Sequence, residues 1–252
     1  MELYHKIYGE GDPVIIIHGL FGMSDNWASF AKKLAESRMV ITVDVRDHGK
    51  SPHTDDFNYA LCAGDIAEFM QANWIYEADV IGHSMGGKIA MQMAYDHEDL
   101  VQKLIVVDIG PGGYSGGHEN IIAALESVDL DQVSNRGEVE DQLSKRIADR
   151  GVVLFLMKNL KRKKEGGFQW KINLPLLSKK YPDIIGPIEV SGIEHPTLFI
   201  KGEHSAYIDD AQRAIIDHTF AEAEIVEIKQ AGHWVHADEP VALFKTILTF
   251  LN

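Results

Sequence analysis

A serine stands between two glycines in Gly82-His83-Ser84-Met85-Gly86, after the apolar segment Asp79-Val80-Ile81 and ahead of Lys88–Ala94, whose spacing is helical. A strand running into Gly-x-Ser-x-Gly and then a helix is the sequence form of a nucleophile elbow. So tight a bend strains the serine backbone and exposes its hydroxyl, and only glycine is small enough at the flanking positions. The chemistry this predicts is attack by the Ser84 oxygen on an acyl carbon. A bare hydroxyl is a poor nucleophile at neutral pH, so Ser84 needs a base, and the base needs an orienting acid.

Twelve histidines compete for the role of base. His233, in Ala231-Gly232-His233-Trp234, follows the last apolar run and precedes the final helical stripe. Loops at the carboxyl ends of strands in a doubly wound sheet share one face, so this loop can reach the elbow. His83 points away from the serine and supports the turn. His18 braces a loop by hydrogen bonds, and His48, within Asp44–Ser51, belongs to a turn. For the acid, Asp108 ends the run Leu104–Val107 and gives the chain order Ser84, Asp108, His233, that is nucleophile, acid, base. Glu203, Asp209 and Asp210 stay open as alternatives, and Asp108 also reads as a plain turn cap beside glycines. An oxyanion needs two fixed donors, worth ~3–4 kcal/mol each in the barrier. Met85 N–H supplies one, and the loop His18-Gly19-Leu20-Phe21-Gly22 supplies the other, Leu20 N–H ahead of Phe21.

These residues need a scaffold. Apolar runs at Val14–Ile17, Met39–Val43, Asp79–Ile81, Val101–Val107, Thr197–Ile200 and Ile225–Ile228 alternate with amphipathic segments, the pattern of a mostly parallel sheet covered on both faces. Helical stripes run through Trp27, Phe30 and Leu34, through Ile66, Phe69 and Met70, and through Val241, Phe244, Leu248 and Leu251. Glu2–Tyr8 alternates and predicts an antiparallel edge strand. The rhythm breaks after Asp108 at Gly110–Gly117 and resumes near Pro196. The stretch between reads as helices over Ile121–Val128, Val139–Ala148 and Val152–Leu160. The expected organisation is a core of residues 1–111 and 188–252 with a helical cap, 112–187, inserted over the catalytic face.

Composition narrows the partners. With 252 residues, 45% of them hydrophobic, the chain can bury a full-sized core, and a net charge of −14 argues against nucleic acid and anionic membranes. Cys62 is the single cysteine, which excludes an internal disulfide and a thiolate metal site. No His-Glu-x-x-His or comparable ligand spacing occurs, no stretch reaches the ~20 apolar residues of a membrane span, and the N-terminus lacks a signal-like run. A soluble cytoplasmic protein is expected, with no metal and no cofactor.

Taken together the motifs resemble the α/β-hydrolase superfamily, and within it the small bacterial cytoplasmic esterases of YbfF type. The matching residues are His18–Gly22, Asp44-x-Arg46-x-His48-Gly49-x-Ser51, Gly82–Lys88, Asp108-Ile109-x-Pro111, Tyr181-Pro182 and Gly232–His236. The resemblance implies an α/β-hydrolase fold with about eight strands, a catalytic Ser84, a His233 base and an acid moved to Asp108. In many proteins of this fold the acid follows the strand represented by Thr197–Ile200, near Ser205, and serine cannot be an anion. It also implies hydrolysis of small-molecule carboxylic esters, extending to acyl thioesters, with no cofactor and no obligate protein partner. Phe21, Tyr114, Tyr207 and Trp234 are candidates to line the acyl channel, against the bland reading of aromatic packing. Lys158, Lys161, Arg162, Lys163 and Lys164 form a basic run that reads as solvated surface or, more sharply, as a clamp for the phosphates of an acyl-CoA. Two other classes compete: a lyase or C–C bond hydrolase using the same triad, and a binding module that kept only the fold.

Overall fold

β-Branched runs such as Val14-Ile15-Ile16-Ile17 suit a pleated strand buried on both faces, where polar alternation is absent. The computed structural model describes residues 1–252. Its strands are β1 (His5–Tyr8), β2 (Pro13–Ile17), β3 (Met39–Val43), β4 (Ala78–His83), β5 (Val101–Val107), β6 (Leu160–Arg162), β7 (Phe168–Trp170), β8 (Thr197–Gly202) and β9 (Ala223–Ile228). The helices are α1 (Ala28–Leu34), α2 (Tyr59–Ala72), α3 (Met85–Asp96), α4 (Glu119–Glu126), α5 (Arg136–Ser144), α6 (Arg150–Met157), α7 (Leu174–Lys179), α8 (Tyr181–Ile185), α9 (Asp210–Thr219), α10 (Val235–Asp238) and α11 (Pro240–Leu251).

Seven strands form the main sheet in the order β1-β3-β2-β4-β5-β8-β9, with β1 antiparallel to β3 and every other pair parallel. Along β2, Ile15 and Ile17 enter a larger core with α2 and α3, while Val14 and Ile16 enter a smaller one with α1 and α11. The chain leaves β2 for β3 on one side and returns to β4 on the other, and ligands bind outside such a reversal. Ile17 pairs with Gly82, so the loop after β2 lies beside the turn after β4.

Four expectations differ from what is seen. The main sheet has seven strands rather than about eight. The segment between β5 and β8 is not purely helical, because β6 and β7 form a separate antiparallel ribbon. Helix α6 stops at Met157 and Leu160 already belongs to β6, where Val152–Leu160 reads as one helix; Gly166 and Gly167, with φ of 100° and 74°, turn the chain from β6 into β7. In α11 the buried stripe is Leu243, Ile247 and Leu251, and Val241 is 59% exposed. The i, i+4, i+8 spacing of the first three outcompetes the stripe that begins at Val241.

The two connections to the intervening segment, after β5 and before β8, run side by side. Tyr114 N–H donates to Ile185 C=O (2.9 Å), and Ile188 N–H donates to Pro111 C=O (2.9 Å). The Tyr59 hydroxyl donates to Ile184 C=O (2.6 Å). Lys88, on α3 and 1% exposed, donates through Nζ to Gly112 C=O (2.8 Å) and to Gly186 C=O, one on each connection. Burial pushes this amine down to about 7. Replacing it by methionine removes the donor from both carbonyls at once. Lys88→Met is expected to speed amide hydrogen exchange at Tyr114 and Ile188 while the midpoint of global unfolding moves little, because local opening is decoupled from the sheet. Unchanged protection at both amides would refute the tie.

Candidate active site

The turn after β4 is set by close approach. A Cβ on Gly82 would lie 2.2 Å from Gly86 C=O, and one on Gly86 would lie 2.4 Å from Ile17 C=O. Ser84 sits between them at φ 53°, a left-handed conformation that a side chain rarely adopts, and its N–H donates to Val107 C=O (2.9 Å). Its Oγ is 2.9 Å from His233 Nε2. His233 Nδ1 is in turn 2.8 Å from Asp108 Oδ2. The elbow serine, the loop histidine and the aspartate of the sequence are thus joined in one hydrogen-bonded line from the ends of β4, β9 and β5.

Asp108 is fully buried, has φ 56°, and donates its N–H to Ile200 C=O (2.7 Å). Gly202 N–H donates to its Oδ1 (3.0 Å), and the Ser205 hydroxyl donates to its Oδ2. Ser205, which cannot replace the carboxylate, holds it instead. None of the alternative acids touches His233. Glu203 is engaged by Lys229 Nζ (3.0 Å) and Gln230 N–H (2.8 Å). Asp209 caps α9 by accepting from Gln212 N–H (2.9 Å), and Asp210 is exposed as the first residue of that helix.

The expected oxyanion donors differ in what they already bond. Phe21 N–H is taken by His48 Nε2 (3.3 Å), whose Nδ1–H donates to Arg46 C=O (2.9 Å). Leu20 N–H has no acceptor within the protein. Met85 is the first residue of α3, where an amide has no intrahelical acceptor. His18 does brace the loop: its Nε2 accepts from Val45 N–H (3.1 Å) and its Nδ1–H donates to Gly19 C=O (2.9 Å). His83 Nε2–H donates to the His233 carbonyl (2.9 Å), which ties the base's main chain to the elbow.

Two cavities meet at Ser84. One is walled by Phe21, Trp27, Phe155, His233, Trp234 and His236 among others. The second is walled by Tyr59, Met85, Lys88, Tyr114, Ile185 and Tyr207 among others. Leu20, Ser84 and His118 border both. Phe21 and Trp234 therefore lie on one cavity and Tyr114 and Tyr207 on the other, though each also packs. Tyr207 stacks on the His233 imidazole at 4.0 Å, and Trp234 packs on Phe155 at 5.9 Å. The Tyr114 hydroxyl accepts from Gly110 N–H (2.6 Å) and donates to Tyr207 C=O (3.0 Å). In the basic run Lys158, Lys161, Arg162 and Lys164 are exposed and lie on neither cavity.

Sequence reasoning missed Ser205, Lys88 and His118. Ser205 carried a signal, a hydroxyl in the acid's usual place. Lys88 stood inside the quoted elbow motif but reads as a surface residue of an ordinary helix. His118 lies in a glycine-rich stretch with no spacing to mark it.

A family model described as the α/β hydrolase fold matches residues 12–150, more than half of the chain. The chain belongs to the α/β-hydrolase family. This hydrolase is 38% identical to a zebrafish (Danio rerio) protein named sn-1-specific diacylglycerol lipase ABHD11, over 99% of this chain and 82% of that one. It is 35% identical to esterase YbfF of Escherichia coli (strain K12), over 95% and 93% of the two chains. A solved structure described as a marine microorganism esterase is 42% identical and superposes with a TM-score of 0.96, covering 99% of both chains. No helix of this hydrolase is long and apolar enough to cross a membrane.

Burial holds the histidines around the site neutral. It pushes His48 to about 3, with repulsion from His18 adding to the shift. It pushes His118 and His236 to about 4, with repulsion from His233 adding in each case. Their ordinary value is 6.5, so above that pH both folded and unfolded chains carry them neutral. As pH falls from about 6.5 toward 4 the unfolded chain takes up protons that the folded one refuses, and stability is lost by about 1.4 kcal/mol per pH unit for each such histidine. Urea unfolding between pH 7 and 4.5 is expected to show this steep loss, and a flat profile across that range would contradict the buried neutral state.

Proposed function

We propose that this protein is a serine hydrolase of carboxylic esters, extending to acyl thioesters, in which Ser84 is the nucleophile, His233 the base and Asp108 the acid. The observation that carries this reading is the continuous line from Ser84 Oγ through His233 to the buried Asp108 carboxylate, at 2.9 and 2.8 Å. Similarity to proteins named esterase and lipase supports the reaction class, and the name of the zebrafish relative adds glycerolipid esters to the candidates.

Ser84 Oγ attacks the acyl carbon and gives its proton to His233 Nε2. The carbonyl oxygen becomes an oxyanion, held by Leu20 N–H and Met85 N–H. Asp108 keeps the proton of neutral His233 on Nδ1 and stabilises the imidazolium that forms. The carbon–oxygen bond then breaks, and His233 Nε2–H protonates the departing alcohol. Water repeats the sequence on the acyl-serine and releases the acid, so water is the only co-reactant. A general acid must reach the leaving oxygen, so the alcohol occupies the cavity walled by His233, and the acyl group occupies the one walled by Met85 and Lys88. Residues 112–187 act as the cap that roofs both. A cytoplasmic setting fits a chain whose single cysteine is buried and unpaired.

With p-nitrophenyl butyrate, Ser84→Ala is expected to abolish turnover while leaving the fold intact. Asp108→Asn is expected to lower kcat by ~10³–10⁴-fold, because the amide favours the wrong imidazole tautomer. Glu203→Gln should change it little. Wild-type turnover by Ser84→Ala would end the reading, and a larger loss from Glu203→Gln than from Asp108→Asn would overturn the choice of acid.

A further inference from the structure

Only three residues border both cavities, and one of them has no part in the mechanism above. Leu20 offers an amide and Ser84 the nucleophile, while His118 comes from the opposite side, just before α4. Its backbone N–H donates to the Tyr181 hydroxyl (2.9 Å), and that hydroxyl lies 3.4 Å from His118 Nδ1. Tyr181 is buried, so its own proton needs an acceptor, and Nδ1 is the one within reach. A neutral imidazole that accepts at Nδ1 carries its proton on Nε2. Nε2 has no partner within the protein, and the ring lies at 69° to that of Phe21, with 6.3 Å between centroids. Burial together with repulsion from His233 keeps the ring uncharged at neutral pH.

We propose that His118 Nε2–H donates a hydrogen bond to the alkoxy oxygen of the bound ester, and so makes the site favour oxygen esters over thioesters. The inference rests on the ester-hydrolase reading. An acyl carbon attacked by Ser84 lies where the cavities meet, with its acyl chain on one side and its leaving group on the other. Its carbonyl oxygen is taken by two amides. The acceptor left at that junction is the alkoxy oxygen, which has lone pairs for both His118 Nε2–H and the proton arriving from His233. As the carbon–oxygen bond breaks, the electron pair goes to this oxygen, the proton comes from His233, and His118 keeps its own. A thioester presents sulfur there, a weak acceptor that gains little from the same donor.

Methyl butyrate and S-methyl thiobutyrate form a matched pair, and acid release at constant pH reads both. His118→Phe keeps a ring without the donor, and His118→Gln keeps a donor without the ring. We expect His118→Phe to lower kcat/KM for the oxygen ester roughly tenfold while the thioester changes less than about threefold. His118→Gln should recover part of the oxygen-ester rate. The ratio of the two rates comes from a single preparation, so a partly folded variant does not distort it. Equal losses on both substrates, or no change on either, would overturn the role of His118. If wild-type protein cleaves neither compound and Ser84→Ala behaves identically, the hydrolase reading itself fails, and this inference with it.

Discussion

A carboxylate with no access to solvent can stay charged only if the protein supplies donors in place of water. Asp108 meets that constraint with three: the Gly202 amide, the Ser205 hydroxyl and His233. Gly202 and Ser205 come from the end of β8 and the turn after it and His233 from the loop after β9, and they converge because β5 lies next to β8 and β8 next to β9. The donors fix the carboxylate, the carboxylate fixes the imidazole, and the imidazole meets the serine. Stacking by Tyr207 on the same ring and the His83 bond to its main chain close the remaining freedom.

Three of the six non-glycine residues with positive φ belong to the site. Phe21, Ser84 and Asp108 all have positive φ, at 60°, 53° and 56°. Each lies directly after or close behind the carboxyl end of a central parallel strand, where the ladder on either side overdetermines the backbone. The neighbouring rings are packed closely enough that their charges are coupled: His83 lies 5.0 Å from His233 and 4.9 Å from His236, which stacks on Trp27 at 4.6 Å. Several positive charges in so small a volume would repel, and only His233 has an anion beside it. Burial and mutual repulsion therefore hold His83 and His236 neutral.

The elbow, the sheet and the chain order of Ser84, Asp108 and His233 were legible because each is written locally: small residues around a serine, β-branched runs, a residue at a run's end. The sheet's seven strands and the β6–β7 ribbon were less so, since three-residue strands leave no period to count. Ser205 stood in view but was read for the charge it lacks, when its hydroxyl serves as a donor. Tyr207, Lys88 and His118 depend on what lies across space from them, at separations of 26 residues for Tyr207 and His233 and 98 for Lys88 and Gly186. The four candidate acids differ for the same reason, since what Glu203 and Asp209 bond to lies outside their own stretch of sequence or in the turn they cap.

The two crossings into residues 112–187 are held almost wholly through peptide groups, Tyr114 to Ile185, Ile188 to Pro111, and the carbonyls of Gly112 and Gly186 to one amine. Peptide groups are the same whatever side chains they carry. A segment tied this way can be rewritten between its two seams without disturbing the strands that carry it. Lineages with this architecture can therefore drift in what they admit while keeping one unaltered means of cutting it.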